Sequence, residues 1–213
     1  MHGQNVVRHK EENPNALQVA EIFHTLQGEG PFSGTPAIFI RLTGCNLRCW
    51  FCDTTWNDET DPVMDIKSIC MAVMLASPKS PSPEVELIVI TGGEPMRQDL
   101  SELIPRLQGM GHMVQIETSG SIYQPACDNA FVVLSPKTPK VAPEFRTRVK
   151  NICWKYVMRQ GEVDEQDGLP VVSPQPGGGG ALARPPSNLG NSNIFLQPCD
   201  EGDEWAQRDN TVA

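Results

Sequence analysis

Short apolar runs rich in β-formers recur along the middle of the chain: Val19 to Phe23, Ala37 to Leu42, Val85 to Ile90, Met113 to Glu117, Phe131 to Leu134 and Ile152 to Met158. Runs of this length bounded by turn-forming residues read as strands rather than helices. Between them the period changes. Ile66, Ile69, Cys70 and Val73 fall on one helical face, and Leu100, Leu103, Ile104 and Leu107 share another at offsets of three and four. Strands alternating with helices predict an α/β fold with a parallel sheet and crossover helices. Six such units are too few to close an eight-stranded barrel, so the expectation is a partial, open (β/α)6 barrel. Asn193 to Gln197 is a candidate last strand.

The two ends differ from the middle. Residues 1–16 are polar, carry Pro14 and lack periodicity, which predicts a flexible leader. From Leu169 to Asn191 the sequence is rich in Pro, Gly and Ser, with four consecutive glycines at Gly177 to Gly180, which predicts a flexible insert in a single domain spanning 17–213. A length of 213 residues suits one domain and is short for two.

A formal net charge of −9 is the opposite of the basic stripe that neutralises phosphates, which argues against nucleic-acid binding. The longest apolar runs, Leu87 to Ile90 and Phe131 to Leu134, are strand-sized and far short of a membrane span, and the first residues form no apolar signal region. The chain is therefore expected in the cytoplasm, away from membranes. Its seven cysteines are odd in number and three crowd into residues 45–52, which suits a metal or cluster site in a reducing compartment better than a disulfide framework.

That crowded stretch is Gly44-Cys45-Asn46-Leu47-Arg48-Cys49-Trp50-Phe51-Cys52. Thiolates are the ligands of iron–sulfur clusters, and this spacing lets one tight loop reach three corners of a cubane while the fourth iron has no cysteine. Structural zinc wants four protein ligands. Cys70, Cys127, Cys153, Cys199 or a histidine could supply the fourth, so ligand count alone leaves a zinc-stabilised binding module open. The position of the loop, directly after an apolar strand where ligand sites of α/β proteins gather, favours the cluster. Cys70 and Cys153 are expected in the core.

Other polar groups cluster at strand ends. Thr91-Gly92-Gly93-Glu94-Pro95 combines glycines, which let a backbone approach a ligand, with an acid able to accept from an ammonium. Glu117-Thr118-Ser119-Gly120 and Ser135-Pro136-Lys137 place further polar clusters on the same rim. Gln27 can donate and accept, Glu29 can accept from ring N–H groups, and Arg41 can clamp a carboxylate through two parallel bonds. Thr54 offers either a hydroxyl for a hard cation or a helix cap. Asp53 could assist a metal or cap the turn, and His24 is expected to be packed.

The three-cysteine loop resembles that of the radical S-adenosylmethionine (SAM) superfamily. The resemblance implies that the open iron of a [4Fe-4S] cluster binds the amino and carboxylate groups of SAM, whose cleavage yields a 5′-deoxyadenosyl radical. Gly92-Gly93-Glu94 resembles the superfamily's GGE element, which holds the methionine amino group. Within the superfamily, Glu21-Ile22-Phe23-His24-Thr25-Leu26-Gln27-Gly28-Glu29-Gly30, Arg41-Leu42-Thr43-Gly44 and Cys52-Asp53-Thr54 together resemble the 7-carboxy-7-deazaguanine synthase family, over Val19 to Met158 with an echo at Leu196-Gln197-Pro198.

This second resemblance implies a carbon–nitrogen lyase of queuosine and other 7-deazapurine biosynthesis. Cys45, Cys49 and Cys52 would hold the cluster and Thr54 a magnesium ion. Gln27, Glu29 and Arg41 would bind 6-carboxytetrahydropterin. Phe51 would lie beside the adenine, and Thr118, Ser135, Lys137 and Gln197 would complete the SAM site. No side chain is assigned a catalytic role, because SAM and the cluster carry the radical chemistry: hydrogen is taken from pterin C6, the ring contracts with magnesium assistance, ammonia leaves and SAM is regenerated. A flavodoxin-like or other reductant and a homodimer are also implied. An activase that installs a glycyl radical in a partner enzyme shares the Gly-Cys-Asn loop but gives no reason for Gln27, Glu29 and Arg41. The Gly-rich insert departs from the family's pattern.

Overall fold

The computed structural model describes residues 13–54, 61–77, 87–177, 180–190, 193–200 and 209–211. Most of the expected leader, residues 1–12, lies outside them, as does Val85 at the start of the third expected strand.

Eight strands form one open sheet: β1 (Ala16–Leu26), β2 (Pro36–Leu42), β3 (Val63–Asp65), β4 (Leu87–Gly92), β5 (Met113–Thr118), β6 (Phe131–Leu134), β7 (Ile152–Met158) and β8 (Ile194–Pro198). Their order is β3-β1-β2-β4-β5-β6-β7-β8. From β2 through β8 the neighbours are parallel. Burial on both faces explains the unbroken apolar run at Leu87 to Ile90, all four residues fully buried.

The first strand corrects the expectation of an all-parallel order. β1 runs antiparallel to β2 and to β3. The connection from β1 to β2 spans only residues 27–35, too short for the crossover that a parallel pair requires. It closes instead through a single 3-10 turn at Gly30–Phe32, with Gly30 and Gly34 in the left-handed region at φ 67° and 85°. The Gln-Gly-Glu-Gly sequence is therefore a hairpin tip.

The crossover layer is thinner than strict alternation predicts. Between β3 and β4 lies α1 (Ile66–Ala76), capped by Asp65, whose side chain accepts from Ser68 N at 2.7 Å. It buries Ile66, Ile69 and Val73 against the sheet, and Cys70 packs at the margin of that core. Before β5 lies α2 (Leu103–Gly109), which buries Leu103, Ile104 and Leu107; Leu100 is buried just ahead of the helix. The next connections carry only a 3-10 turn, Pro125–Asn129, and the four-residue helix α3 (Glu144–Thr147).

The connection from β7 to β8 contains the Pro/Gly-rich stretch. Its described residues lie against the sheet: Arg184 pairs with Asp167 at 2.7 Å and donates to Pro170 O, Ala183 N donates to Thr138 O, and Tyr156 Oη donates to Ala183 O. Among the described residues no helix is long and apolar enough to cross a membrane.

Candidate active site

The C-terminal ends of the parallel strands, the hairpin tip and the loop after β2 surround an open cavity of about 970 Å³. Fourteen of the fifteen side chains or glycines singled out from the sequence line it: Gln27, Glu29, Arg41, Cys45, Cys49, Phe51, Cys52, Thr54, Gly92, Gly93, Thr118, Ser135, Lys137 and Gln197. The fifteenth, Glu94, sits behind the wall.

The cysteine loop leaves β2 through Gly44, which has φ 79° and no room for a side chain: a Cβ there would meet the Arg97 guanidinium at 2.6 Å. Arg97, Gln98 and Gln124 form a buried polar frame under this turn. Arg97 and Gln98 both donate to Thr43 O at 3.2 Å, and Gln124 donates to Met96 O at 2.6 Å. Gly92 and Gly93 face neighbouring backbone as well as the cavity. A Cβ on Gly92 would fall 1.9 Å from Leu42 O, and one on Gly93 would fall 2.0 Å from Gly44 O. The glycines are required first by the close approach of two strand ends.

Burial pushes the Cys45 thiol up to about 12, with like-charge contributions from Glu94, Cys49 and Cys52, and burial also raises Cys49. Such thiols ionise when a metal takes the proton's place, and a set of soft sulfur donors on one loop fits an iron–sulfur cluster. Among the described residues no three Cys, His, Asp or Glu side chains converge as ligands of a single ion.

Glu94 is turned inward, 1% exposed, with four donors on its carboxylate. Met96 N (3.1 Å) and Thr118 Oγ1 (2.6 Å) meet one oxygen; Ser119 N (2.9 Å) and Ser119 Oγ meet the other. A carboxylate has about four acceptor sites, so this one is saturated. It ties the end of β4 to the end of β5, and Ser121, bonded to Asn46 Nδ2 at 3.0 Å, extends the tie to the cysteine loop. Burial raises the Glu94 carboxyl above its ordinary range despite these donors.

On the opposite wall the hairpin tip carries a looser set. Gln27 accepts from Glu29 N at 3.1 Å and donates to Glu117 Oε1 at 3.0 Å, which fixes the direction of its amide. Glu117 also accepts from Thr91 Oγ1 and Gln115 Nε2. Glu29 is bridged by Lys155 and by Gln197 Nε2, and Gln197 Oε1 is buried with no hydrogen-bond partner, an acceptor that a ligand N–H would complete. Arg41 pairs with Glu21 at 2.8 Å, lies over the Phe23 ring, and approaches Thr54 Oγ1 at 3.5 Å. Thr54 Oγ1 donates to Asp53 Oδ1 at 2.8 Å; a hydroxyl beside a carboxylate is a hard-oxygen pair that fits magnesium.

Between the two walls stand Ser135 and Lys137 at the end of β6. Lys137 Nζ donates to Ser135 O at 3.1 Å and lies over the Phe51 ring. Loss of solvation pulls its ammonium down to about 8, opposed chiefly by the Cys49 sulfur.

The sequence placed Thr91 and Glu117 in polar clusters at strand ends without giving either a role, and it missed Lys155 as a member of this site. Lys155 had a signal: it is the one charged residue in the strand Ile-Cys-Trp-Lys-Tyr-Val-Met, and it is 9% exposed. Cys153 and Cys127 are buried as packed cysteines, whereas Cys199 is buried at the cavity edge.

Comparison with known proteins agrees with this geometry. Residues 39–139 match the model of the Radical SAM superfamily. The 7-carboxy-7-deazaguanine synthase of Rhodospirillum rubrum is 39% identical over 208 residues, covering 94% of this chain and 83% of that protein. The synthase of the same name from Buchnera aphidicola is 36% identical over 87% of this chain and 86% of its own length. The crystal structure of QueE from Escherichia coli superposes with a TM-score of 0.64 at 25% identity, covering 92% of this chain and 89% of that one. The fold, the three-cysteine loop on the rim and 36–39% identity to both synthases over most of each chain place this chain in the 7-carboxy-7-deazaguanine synthase family of radical SAM enzymes.

Proposed function

We propose that the chain converts 6-carboxy-5,6,7,8-tetrahydropterin to 7-carboxy-7-deazaguanine with loss of ammonia, using one cavity with two chemically different walls. The observation that carries this reading is that the thiols of the 45–52 loop and the Gln27, Glu29 and Arg41 side chains, drawn from separate segments, open onto the same space.

Cys45, Cys49 and Cys52 are the residues to hold a [4Fe-4S] cluster, and Phe51, Gly92, Gly93, Thr118, Ser135, Lys137 and Gln197 those to hold SAM. When bound, these groups supply a 5′-deoxyadenosyl radical, the one piece of chemistry that no side chain here can perform. Glu94 reaches an ammonium only by exchanging one of its hydroxyl donors; its main part is to fix Thr118 and Ser119.

The rest is positioning by the chain itself. Gln27, Glu29 and Glu117 offer the alternating donors and acceptors that a pterin amide and amino edge needs. Arg41 takes the substrate carboxylate in two parallel bonds after releasing Glu21, an inexpensive exchange because that carboxylate is 52% exposed. Thr54 and Asp53 stand beside Arg41 and are the residues that would hold a magnesium ion, which would supply positive charge for the substrate carboxylate. Phe23 lies under Arg41 and stacks on Phe39, and both line the cavity, apolar surface that would keep water from the reacting carbon. The proposal includes a cytoplasmic homodimer of single-domain subunits, spanning 17–213, and a low-potential reductant, flavodoxin-like or other, all resting on the family resemblance.

The test is anaerobic incubation of reconstituted enzyme with SAM, reductant, magnesium and 6-carboxytetrahydropterin. The deazaguanine acid is the expected product. Its absence from enzyme with a full cluster would reject the reading in favour of an activase.

A further inference from the structure

The Pro/Gly-rich stretch, which the sequence reads as a flexible insert, touches the cysteine loop at two consecutive residues, Pro174 and Gln175, and the residues after β6 at Ser173. Ser173 Oγ donates to Lys137 O at 2.9 Å, and Pro174 O accepts from Trp50 N at 3.0 Å. Gln175 contributes its whole amide: Oε1 accepts from Arg48 N at 2.9 Å, and Nε2 donates to Cys49 Sγ at 3.0 Å. The first bond decides the second. A backbone N–H can meet only the amide oxygen, so the NH2 group must face the sulfur and a flipped amide is excluded. Gln175 does not line the cavity, whereas Cys49 does, so the amide reaches this sulfur from outside and leaves its cavity side for iron.

We propose that Gln175 is a positioning residue that sets the reduction potential of the cluster through an N–H···S hydrogen bond to Cys49. Hydrogen bonds to cluster sulfurs are among the levers that tune such potentials. The reduced cluster carries one more negative charge and gains more from a donor than the oxidised form does, so the bond raises the midpoint. Glutamine is matched to the position because an acceptor and a donor are needed on one short planar group. The segment 173–175 thereby gives the insert a role at the cluster rather than only a covering one.

The inference rests on the reading of Cys45, Cys49 and Cys52 as cluster ligands, and iron content separates the two failures. Wild type, Gln175→Glu and Gln175→Met are reconstituted anaerobically, iron per chain is measured, and the cluster is titrated with EPR detection. Gln175→Glu keeps an acceptor for Arg48 N but sets a carboxylate oxygen against the sulfur. Gln175→Met keeps the length and removes both bonds. The expected order of midpoints is wild type, then Gln175→Met, then Gln175→Glu. The last is expected to fall by a tenfold drop in the equilibrium constant for reduction, about 59 mV for one electron. If Gln175→Glu loses its cluster, the midpoint of Gln175→Met decides alone. Unchanged midpoints in iron-replete variants overturn the proposal. So does loss of iron from Gln175→Met with retention in Gln175→Glu, since pinning of Arg48 N would then be the whole role, or loss from both. A wild-type protein without a cluster overturns the functional reading itself.

Discussion

The two carboxylate clusters on the rim are built in opposite ways. Glu94 is sealed behind the wall, with every acceptor site filled by Met96 N, Thr118 Oγ1 and two donors of Ser119. Glu29 and Glu117 lie on the cavity, held by side chains from other segments that can let go: Lys155, Gln197, Gln27 and Thr91. The first arrangement is a joint, which fixes two strand ends whether or not a ligand is present. The second is a set of mutually satisfied groups, each of which has a partner to return to after product leaves. A buried polar group without its partner costs far more than an exposed one, so the two clusters should respond differently to truncation.

The sharpest way to break this contrast is Glu94→Ala, which strands four donors, two of them in buried bonds. It should lose about 3–5 kcal/mol of stability in chemical denaturation. A loss under about 1 kcal/mol would show that the joint is dispensable. Next, Gly93→Ala drives a Cβ to within 2.0 Å of Gly44 O, a contact that backbone must relieve. It should cost about 3 kcal/mol and lower the iron retained after reconstitution, since the displaced residues lead directly into Cys45. Normal iron content would refute the claim that this glycine serves the cysteine loop.

On the opposite wall, Arg41→Ala should raise the KM for the pterin about tenfold to a hundredfold, the worth of hydrogen bonds to a charged group of about 1.5–3 kcal/mol. SAM cleavage without substrate should stay near wild type; equal loss of both would make Arg41 structural. The smallest effect is expected for Lys155→Met. Its partner Glu29 is 33% exposed, so the stability change should stay within about 1 kcal/mol. A larger loss would place this pair with the joint.

What the sequence disclosed follows from the range of each signal. Leu87 to Ile90 and Ile152 to Met158 were legible as strands because apolar runs are local, yet they carry no direction. The antiparallel sense of β1 came from the length of the 27–35 connection. β3, the three residues Val63–Asp65, is too short to leave a pattern. The cysteine loop was legible because its spacing is compact. The Gln27–Glu117 and Glu29–Lys155 contacts were not, since their partners are 90 and 126 residues apart. Gly92 and Gly93 stood out as glycines for a reason the sequence could not supply, because the atoms that exclude a side chain belong to Leu42 and Gly44. Glu94 was visible as an acid, but the donors that turn it inward come from the end of the next strand.

The central claim is that the two walls serve one reaction in one cavity, with pterin C6 held against the radical carbon. Turnover of substrate deuterated at C6 tests it directly. Deuterium recovered in SAM or 5′-deoxyadenosine is the expected result; product formed with no deuterium in either would contradict the shared cavity.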